Sequence, residues 1–238
     1  MPAVQLVPAP GDGRVYRHRL QVGLADTTPS GRARLDAVAR WLQDAAWADV
    51  VDAGFAEAGS VWVVRRLHVR VERFPRFGEA LEAATFCSGT GALWAERRTT
   101  VRGDAGGLVE ASGLWVHLDR NGRPRPLPEG FGPVYGAAAG GRRVKARLRH
   151  PGEPPAGAES RPWRFRAADL DLAGHVNNAV YWQVLEEELL GEEPAGALVA
   201  EIEHRAAGDA GEATVHAAGA HRWIVAPDGT VLATLALG

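Results

Sequence analysis

One eight-residue pattern occurs twice in this 238-residue chain, and it limits the fold to something with two similar units. Ala25-Asp26-Thr27-Thr28-Pro29-Ser30-Gly31-Arg32 falls without gaps on Ala168-Asp169-Leu170-Asp171-Leu172-Ala173-Gly174-His175, an offset of 168 − 25 = 143. Alanine, aspartate and glycine coincide. A strand-like run precedes each copy (Val15, Tyr16, Leu20 and Val22; then Trp163-Arg164-Phe165-Arg166), and helical periodicity follows each. Matching strand–turn–helix order around matching turns implies a duplicated domain. The copies differ where chemistry would sit: Thr28 and Arg32 stand where the second copy has Asp171 and His175. The first half therefore reads as a binding half and the second as a catalytic half.

The flanking segments supply the elements. Leu35, Val38, Ala39, Leu42, Ala45, Ala46 and Val50 recur at three- and four-residue spacing, which predicts a helix of about four turns ending near Gly54. Strands are expected at Val61–Val71, Ala80–Gly89, Leu93–Arg102 and Leu108–Leu118, separated by Gly, Pro and Asp clusters. Pro124, Pro126 and Pro128 then end the sheet. Residues 136–160, with a basic run and several prolines, read as a linker carrying a short strand at Val144–Leu148. A helix from about Asn177 to Leu190 and strands at about Leu198–His204, Ala213–Ala218, Arg222–Val225 and Val231–Leu237 complete the second half. The expected divisions are 14–135, 136–160 and 161–238. A helix followed by consecutive antiparallel strands, twice over, makes an α+β fold with each sheet wrapped around its helix.

Composition narrows the function classes. A net charge of −2 argues against nucleic acid as a partner. A single cysteine, Cys87, excludes an internal disulfide and a cysteine zinc site, and suits a reducing compartment. The start lacks the pattern of a signal peptide, and no apolar run reaches the ~20 residues that span a bilayer. The expectation is a cytoplasmic protein without a membrane span.

Residues Asp169 to Tyr181 place two acids, a glycine, a histidine and two asparagines where a strand hands over to a helix. Asn177 or Asn178 can cap that helix. Free N–H groups at a helix start favour a polarised carbonyl oxygen. Carboxylate, imidazole and amides together suit acyl transfer. Asp171 is the candidate base or nucleophile, and His175 positions water or passes a proton. Gly174, Val176, Asn177 and Asn178 are the candidates for polarising and positioning the substrate. Glu186, Glu187 and Glu188 read as a solvated helix end. Arg65, Arg66, Arg70 and Arg73, with the basic linker, are candidates for attracting an acidic partner. Trp41, Trp47, Phe55 and Trp62 are candidates for lining an apolar tunnel.

Asp-Leu-Asp-x-x-Gly-His-Val-Asn-Asn-x-x-Tyr (Asp169 to Tyr181) resembles the signature of hot-dog-fold thioesterases. The duplicated layout resembles the fatty acyl-ACP thioesterases of plants and bacteria, a likeness extended by Gly31-Arg32-Ala33-Arg34-Leu35-Asp36, Trp62, Arg97-Arg98 and Trp115. That resemblance implies a tandem double hot-dog that hydrolyses acyl-ACP to free fatty acid and holo-ACP, with acyl carrier protein as partner and no metal or redox cofactor. It implies catalytic roles for Asp171 and His175. Ala173 stands where the family carries asparagine. In Glu203-His204-Arg205-Ala206-Ala207-Gly208, Ala207 stands at the family glutamate and Gly208 at its cysteine. Glu203 and Asp209 are the carboxylates at hand to replace it. Hot-dog thioesterases of the hydroxybenzoyl-CoA type show a similar Asp-x-x-Gly. The alternatives are therefore an acyl-CoA or aryl-CoA thioesterase, or an acyl-binding hot-dog protein without chemistry. Either a monomer or a homodimer is compatible with two copies in one chain.

Overall fold

The computed structural model describes residues 4, 6–56, 61–119, 121–190, 194 and 196–238. After strand β1 (Tyr16–Gln21), helix α1 (Leu35–Asp52) buries Leu35, Val38, Ala39, Trp41, Leu42, Ala45 and Ala46 along one stripe. Strands β2 (Val61–Arg73), β3 (Ala80–Thr90), β4 (Trp94–Gly103) and β5 (Leu108–Leu118) follow. The second half contributes β6 (Glu159–Phe165), β7 (Leu198–His204), β8 (Gly211–Ala218), β9 (His221–Val225) and β10 (Val231–Leu237). Each expected strand except the one at 144–148 is present, with ends shifted by a few residues at most.

All ten strands form one sheet in the order β1-β3-β4-β5-β2-β7-β10-β9-β8-β6. The halves join where β2 pairs antiparallel with β7, from Arg66 opposite Glu203 to Val71 opposite Leu198. Strand alternation sends Leu67, Val69, Val71, Ala200 and Ile202 into one apolar core shared with α1. Their neighbours Arg66, His68, Glu201 and Glu203 point to the opposite face, yet all four are buried there.

The linker covers that opposite face. Residues 131–139 form a helix, α2 (Phe131–Ala139), so the stretch expected as linker from 136 begins inside an element. Phe131 and Tyr135 anchor it against Phe55 and Trp62 in a second, smaller cluster. No strand forms at 144–148; a single bridge joins Thr90 and Arg143. The chain instead crosses the sheet as a strap held by polar groups. Trp94 Nε1 donates to Val144 O at 2.9 Å, and Arg66 Nη1 donates to Arg147 O at 2.9 Å. Trp223 Nε1 donates to Pro151 O at 3.0 Å. Basic side chains at alternate positions stay in water, which is why the strap looks like a linker in sequence.

The second helix is shorter than its periodicity implies. A 3₁₀ turn at Val180–Trp182 leads into α3 (Gln183–Leu189), seven residues. Neither Asn177 nor Asn178 caps it as expected: Asn177 Oδ1 accepts the Ala179 N–H at 2.9 Å in a turn ahead of the 3₁₀ segment, and neither helix start has a side-chain cap. So short a helix contributes little macrodipole, and the polarising field expected at its start is correspondingly weaker.

Candidate active site

The two copies of the repeat fold into the same hairpin, bond for bond at the offset of 143. Thr28 N–H donates to Arg32 O at 2.8 Å, and Asp171 N–H to His175 O at 2.8 Å. Gly31 N–H donates to Thr28 O and Gly174 N–H to Asp171 O, both at 2.9 Å. Bridges join Thr27 to Ala33 and Leu170 to Val176. Gly31 and Gly174 take φ of +83° and +78°, which only glycine adopts readily. Asp26 and Asp169 both close the preceding turn, accepting the N–H of Gly23 and Arg166 respectively. The shared alanine–aspartate–glycine pattern is thus turn chemistry, common to both halves.

Side chains then make the hairpins unlike. Arg32 turns inward, 2% exposed, and its Nη2 donates to Glu186 Oε1 at 2.8 Å from the other half. Glu186 Oε2 also accepts the Leu35 N–H at 2.8 Å, capping α1, and Phe74 covers the guanidinium at 4.8 Å. Glu186 is therefore buried, contrary to the solvated helix end expected of it. The pair ties the first hairpin to the second half. In the second hairpin His175 stands out in solvent, with Nδ1 3.4 Å from Asp209 Oδ1.

Asp171 is exposed, and its Oδ1 accepts the Ala173 N–H of its own turn at 2.8 Å. The structure brings His175 to Asp209 and leaves the Asp171 carboxylate on the turn. Both carboxylates nevertheless act on Tyr181, whose phenol pKa is pushed up mainly by burial, then by Asp209 and Asp171. Two of the expected polarising amides are already used: Gly174 N–H within the turn and Val176 N–H on Gly208 O at 2.8 Å. Among the described residues, the amides of His175 and Asn178 find no acceptor in the chain. Glu203 points to the strap, where it accepts the backbone N–H of Arg149 and His150, so it is remote from the hairpin's chemistry.

Behind Asn178 lies a cavity of about 20 Å³, room for roughly one water, between α1 and the sheet. Leu42, Gln43, Trp115, Asn178, Trp182 and His204 are among its lining residues. Gln43 reaches across the halves, its Nε2 donating to Asn177 Oδ1 at 3.1 Å. Gln43 and Glu186 are 143 residues apart, so each half sends one polar side chain to the other's hairpin: a carboxylate to the first, an amide to the second. Sequence reasoning passed over Gln43, although the offset applied to the helices would have found it. His204 is buried with Nε2 unpartnered among the described residues, and burial with Arg65 nearby pulls its pKa down to about 3, so it is neutral.

The expected tunnel residues lie elsewhere. Trp41 is core, Trp47 is exposed, and Phe55 and Trp62 belong to the cluster under α2. Two of the four expected docking arginines are also turned inward. Arg65 Nη1 donates to Arg205 O, and Arg66 lies under the strap.

A pair of equivalent strand–hairpin–helix units on one antiparallel sheet wrapped around α1 and α3 is the layout of a tandem hot-dog. Residues 13–128 match the acyl-ACP thioesterase N-terminal domain, and residues 152–195 match its C-terminal domain. The chain belongs to the acyl-ACP thioesterase family. The protein Rv2001 of Mycobacterium tuberculosis is 29% identical over 185 residues, covering 77% of this chain and 74% of that one. Oleoyl-acyl carrier protein thioesterase 2 of Arabidopsis thaliana is 25% identical over 193 residues, covering 71% of this chain but 53% of that one. The fold is similar to an acyl-ACP thioesterase from Bacteroides thetaiotaomicron, with TM-score 0.74 at 16% identity over 94% of this chain and 96% of that one. It is also similar to the 12:0-ACP thioesterase from Umbellularia californica, TM-score 0.74 at 19% identity over 94% and 92%. No helix of the described residues is long and apolar enough to cross a membrane.

Proposed function

We propose that the chain hydrolyses fatty acyl-ACP at the second hairpin, with the acyl chain entering between α1 and the sheet by widening the one-water cavity there. The supporting observation is the difference between two equivalent hairpins: the first holds the buried Arg32–Glu186 pair beside an open polar groove of about 400 Å³, while Asn178 and Gln43 border a small, mainly apolar cavity at the second. His175, oriented by Asp209, accepts a proton from water as the oxygen attacks the thioester carbonyl carbon. The Asn178 amide holds the resulting oxyanion, a contribution of about 3 kcal/mol for one donor. Collapse expels the carrier's thiolate, which takes the proton back from His175 and leaves as the thiol. Asp171 is the second carboxylate at the hairpin and orients the attacking water.

Purified protein with acyl-ACP and a thiol-trapping dye tests this reading. Turnover should fall at least about 100-fold in both His175→Ala and Asp171→Asn. Asp171→Asn with near wild-type turnover would remove that residue from the mechanism. Absence of thiol release across chain lengths would leave an acyl-binding protein, the reading favoured by Ala173 and Ala207. The inward turn of Arg65 and Arg66 withdraws two cations from a carrier-docking surface, which favours a CoA ester as the competing substrate. Comparing kcat/KM for one acyl group on ACP and on CoA decides between them.

A further inference from the structure

The most unusual polar groups of the molecule lie away from the hairpins, beneath the strap. Glu201, on β7, is 1% exposed, and both of its carboxylate oxygens lack a hydrogen-bond partner among the described residues. His68, directly opposite on β2, has its Nδ1 3.7 Å from Glu201 Oε2 and equally unpartnered. His150 comes down from the strap, and its Nε2 sits 3.2 Å from Glu201 Oε1, again without a hydrogen bond. Four buried polar atoms converge on one spot, where each bare group costs on the order of 1–3 kcal/mol or more.

The imidazole's protonation pattern sharpens the problem. His150 Nδ1 lies 3.2 Å from the Thr234 carbonyl oxygen and 3.1 Å from its hydroxyl. Against a carbonyl a ring nitrogen can only donate, so Nδ1 carries a hydrogen. Nε2 then meets the carboxylate either as a second N–H of an imidazolium paired with Glu201, or as a lone pair, in which case two acceptors at 3.2 Å repel unless a cation lies between them. Arg66 Nε stands 3.9 Å from the other oxygen, Oε2, and not between these two atoms. A proton on Nε2 leaves both Nε2 and Oε1 without a hydrogen bond of good geometry among the described residues. A metal ion satisfies both, since it sits off the N···O line: legs of about 2.1 Å to each atom subtend an angle of about 100°, within the tetrahedral-to-octahedral range. Glu203 belongs to the same cluster, with a ligand oxygen within 4.8 Å of those of His150 and Glu201. Its own hydrogen bonds to the Arg149 and His150 amides keep it in place as the strap's anchor.

We propose that His150 Nε2, Glu201 and Glu203 hold one divalent transition-metal ion, with His68 supporting the second oxygen of Glu201. The donor set, imidazole nitrogen with carboxylate oxygen, is that of zinc-class ions rather than calcium or magnesium. Its role is structural. Glu201 and Glu203 come from a strand at the junction of the halves and His150 from the strap, so the ion would pin the strap to the seam. Buried partners around the ligands orient them, as is usual for such sites: the Thr234 carbonyl on His150 and Arg205 Nη2, 3.3 Å from Glu203 Oε2.

The test is metal content. Full-length protein is dialysed against excess Zn²⁺ or Co²⁺ and then metal-free buffer, and bound ion is counted by mass spectrometry. About one equivalent per chain is expected, falling at least tenfold in His150→Gln and in Glu201→Gln. His175→Ala, which removes the exposed imidazole beside Asp209, should keep its equivalent. Should both variants fail to fold, the Co²⁺ absorption band of the wild-type protein still reports nitrogen and oxygen ligation. Wild-type protein below about 0.1 equivalent, or full content in folded His150→Gln, overturns the proposal and leaves a proton as the cation shared by His150 and Glu201.

Discussion

Replacing Glu186 should destabilise the fold far more than its place in Glu186-Glu187-Glu188 suggests. Its carboxylate accepts from Arg32 Nη2 at 2.8 Å, Arg32 Nη1 at 3.3 Å and Leu35 N–H at 2.8 Å, and both partners' side chains are nearly inaccessible. Glu186→Leu strands a buried guanidinium, a loss of about 3–5 kcal/mol, and uncaps α1 for about 1 kcal/mol more. At roughly 2–4 °C per kcal/mol for a chain of this size, the combined loss of about 4–6 kcal/mol lowers Tm by about 8–24 °C. Two controls isolate the cause. Glu187→Leu, on an exposed side chain 3.6 Å from Arg161, should shift stability by less than about 1 kcal/mol. Arg32→Met combined with Glu186→Leu removes both charges and should recover most of the loss, because apolar replacement of a whole buried pair is often close to neutral. Thermal and urea unfolding by circular dichroism measure all four proteins. A loss below about 1 kcal/mol for Glu186→Leu, or a double variant as weak as the single, would refute this account of the pair.

Gln43→Leu removes the amide that reaches Asn177 from the opposite half, and kcat/KM for acyl-ACP should fall about tenfold with the fold intact by circular dichroism. His204 is neutral when folded, with a pKa pulled down to about 3, while in the unfolded chain it protonates near 6.5. Stability should therefore decline as pH falls from 6.5 toward 3, by up to about 1.4 kcal/mol per pH unit from this residue. His204→Leu should flatten that part of the curve in urea unfolding measured across pH. A Cβ at Gly208 would meet the Tyr181 hydroxyl at 2.3 Å, so Gly208→Ala should lower stability by about 1–3 kcal/mol.

The strands were legible because alternation and the Gly, Pro and Asp clusters act locally; β7 and β10 carry their expected limits. The repeat was legible for a related reason: its shared residues are the ones each hairpin needs for its own hydrogen bonds. What sequence could not convey was direction. Arg32 and His175 occupy equivalent backbone positions, yet one points inward because a carboxylate 154 residues away receives it and the other points to solvent. Glu186, Arg65 and Arg66 were misjudged in the same way, since charged residues at a helix end or on a strand look solvated until the partner element is known. Helix α2 was missed because Gly132, Pro133 and Gly136 read as loop, while its burial against Phe55 and Trp62 is a tertiary gain.

The missing glutamate shows how packing can relocate a charge under the proposed mechanism. Past β7, Ala207 is exposed, Gly208 buried and Asp209 exposed, so positions 207 and 209 share the solvent side where His175 stands. Tyr181 fills the space where a side chain at 208 would lie, which holds the loop against the hairpin and brings Asp209 to 3.4 Å from His175. A carboxylate moved by two residues thus keeps its side of an extended chain. Asp209→Asn should lower kcat at least about tenfold, because His175 loses the carboxylate 3.4 Å from its Nδ1 that orients the ring. Ala207→Glu in that background returns a carboxylate to the family's position and should restore part of the rate. Unchanged kcat in Asp209→Asn would show that His175 works without an acidic partner.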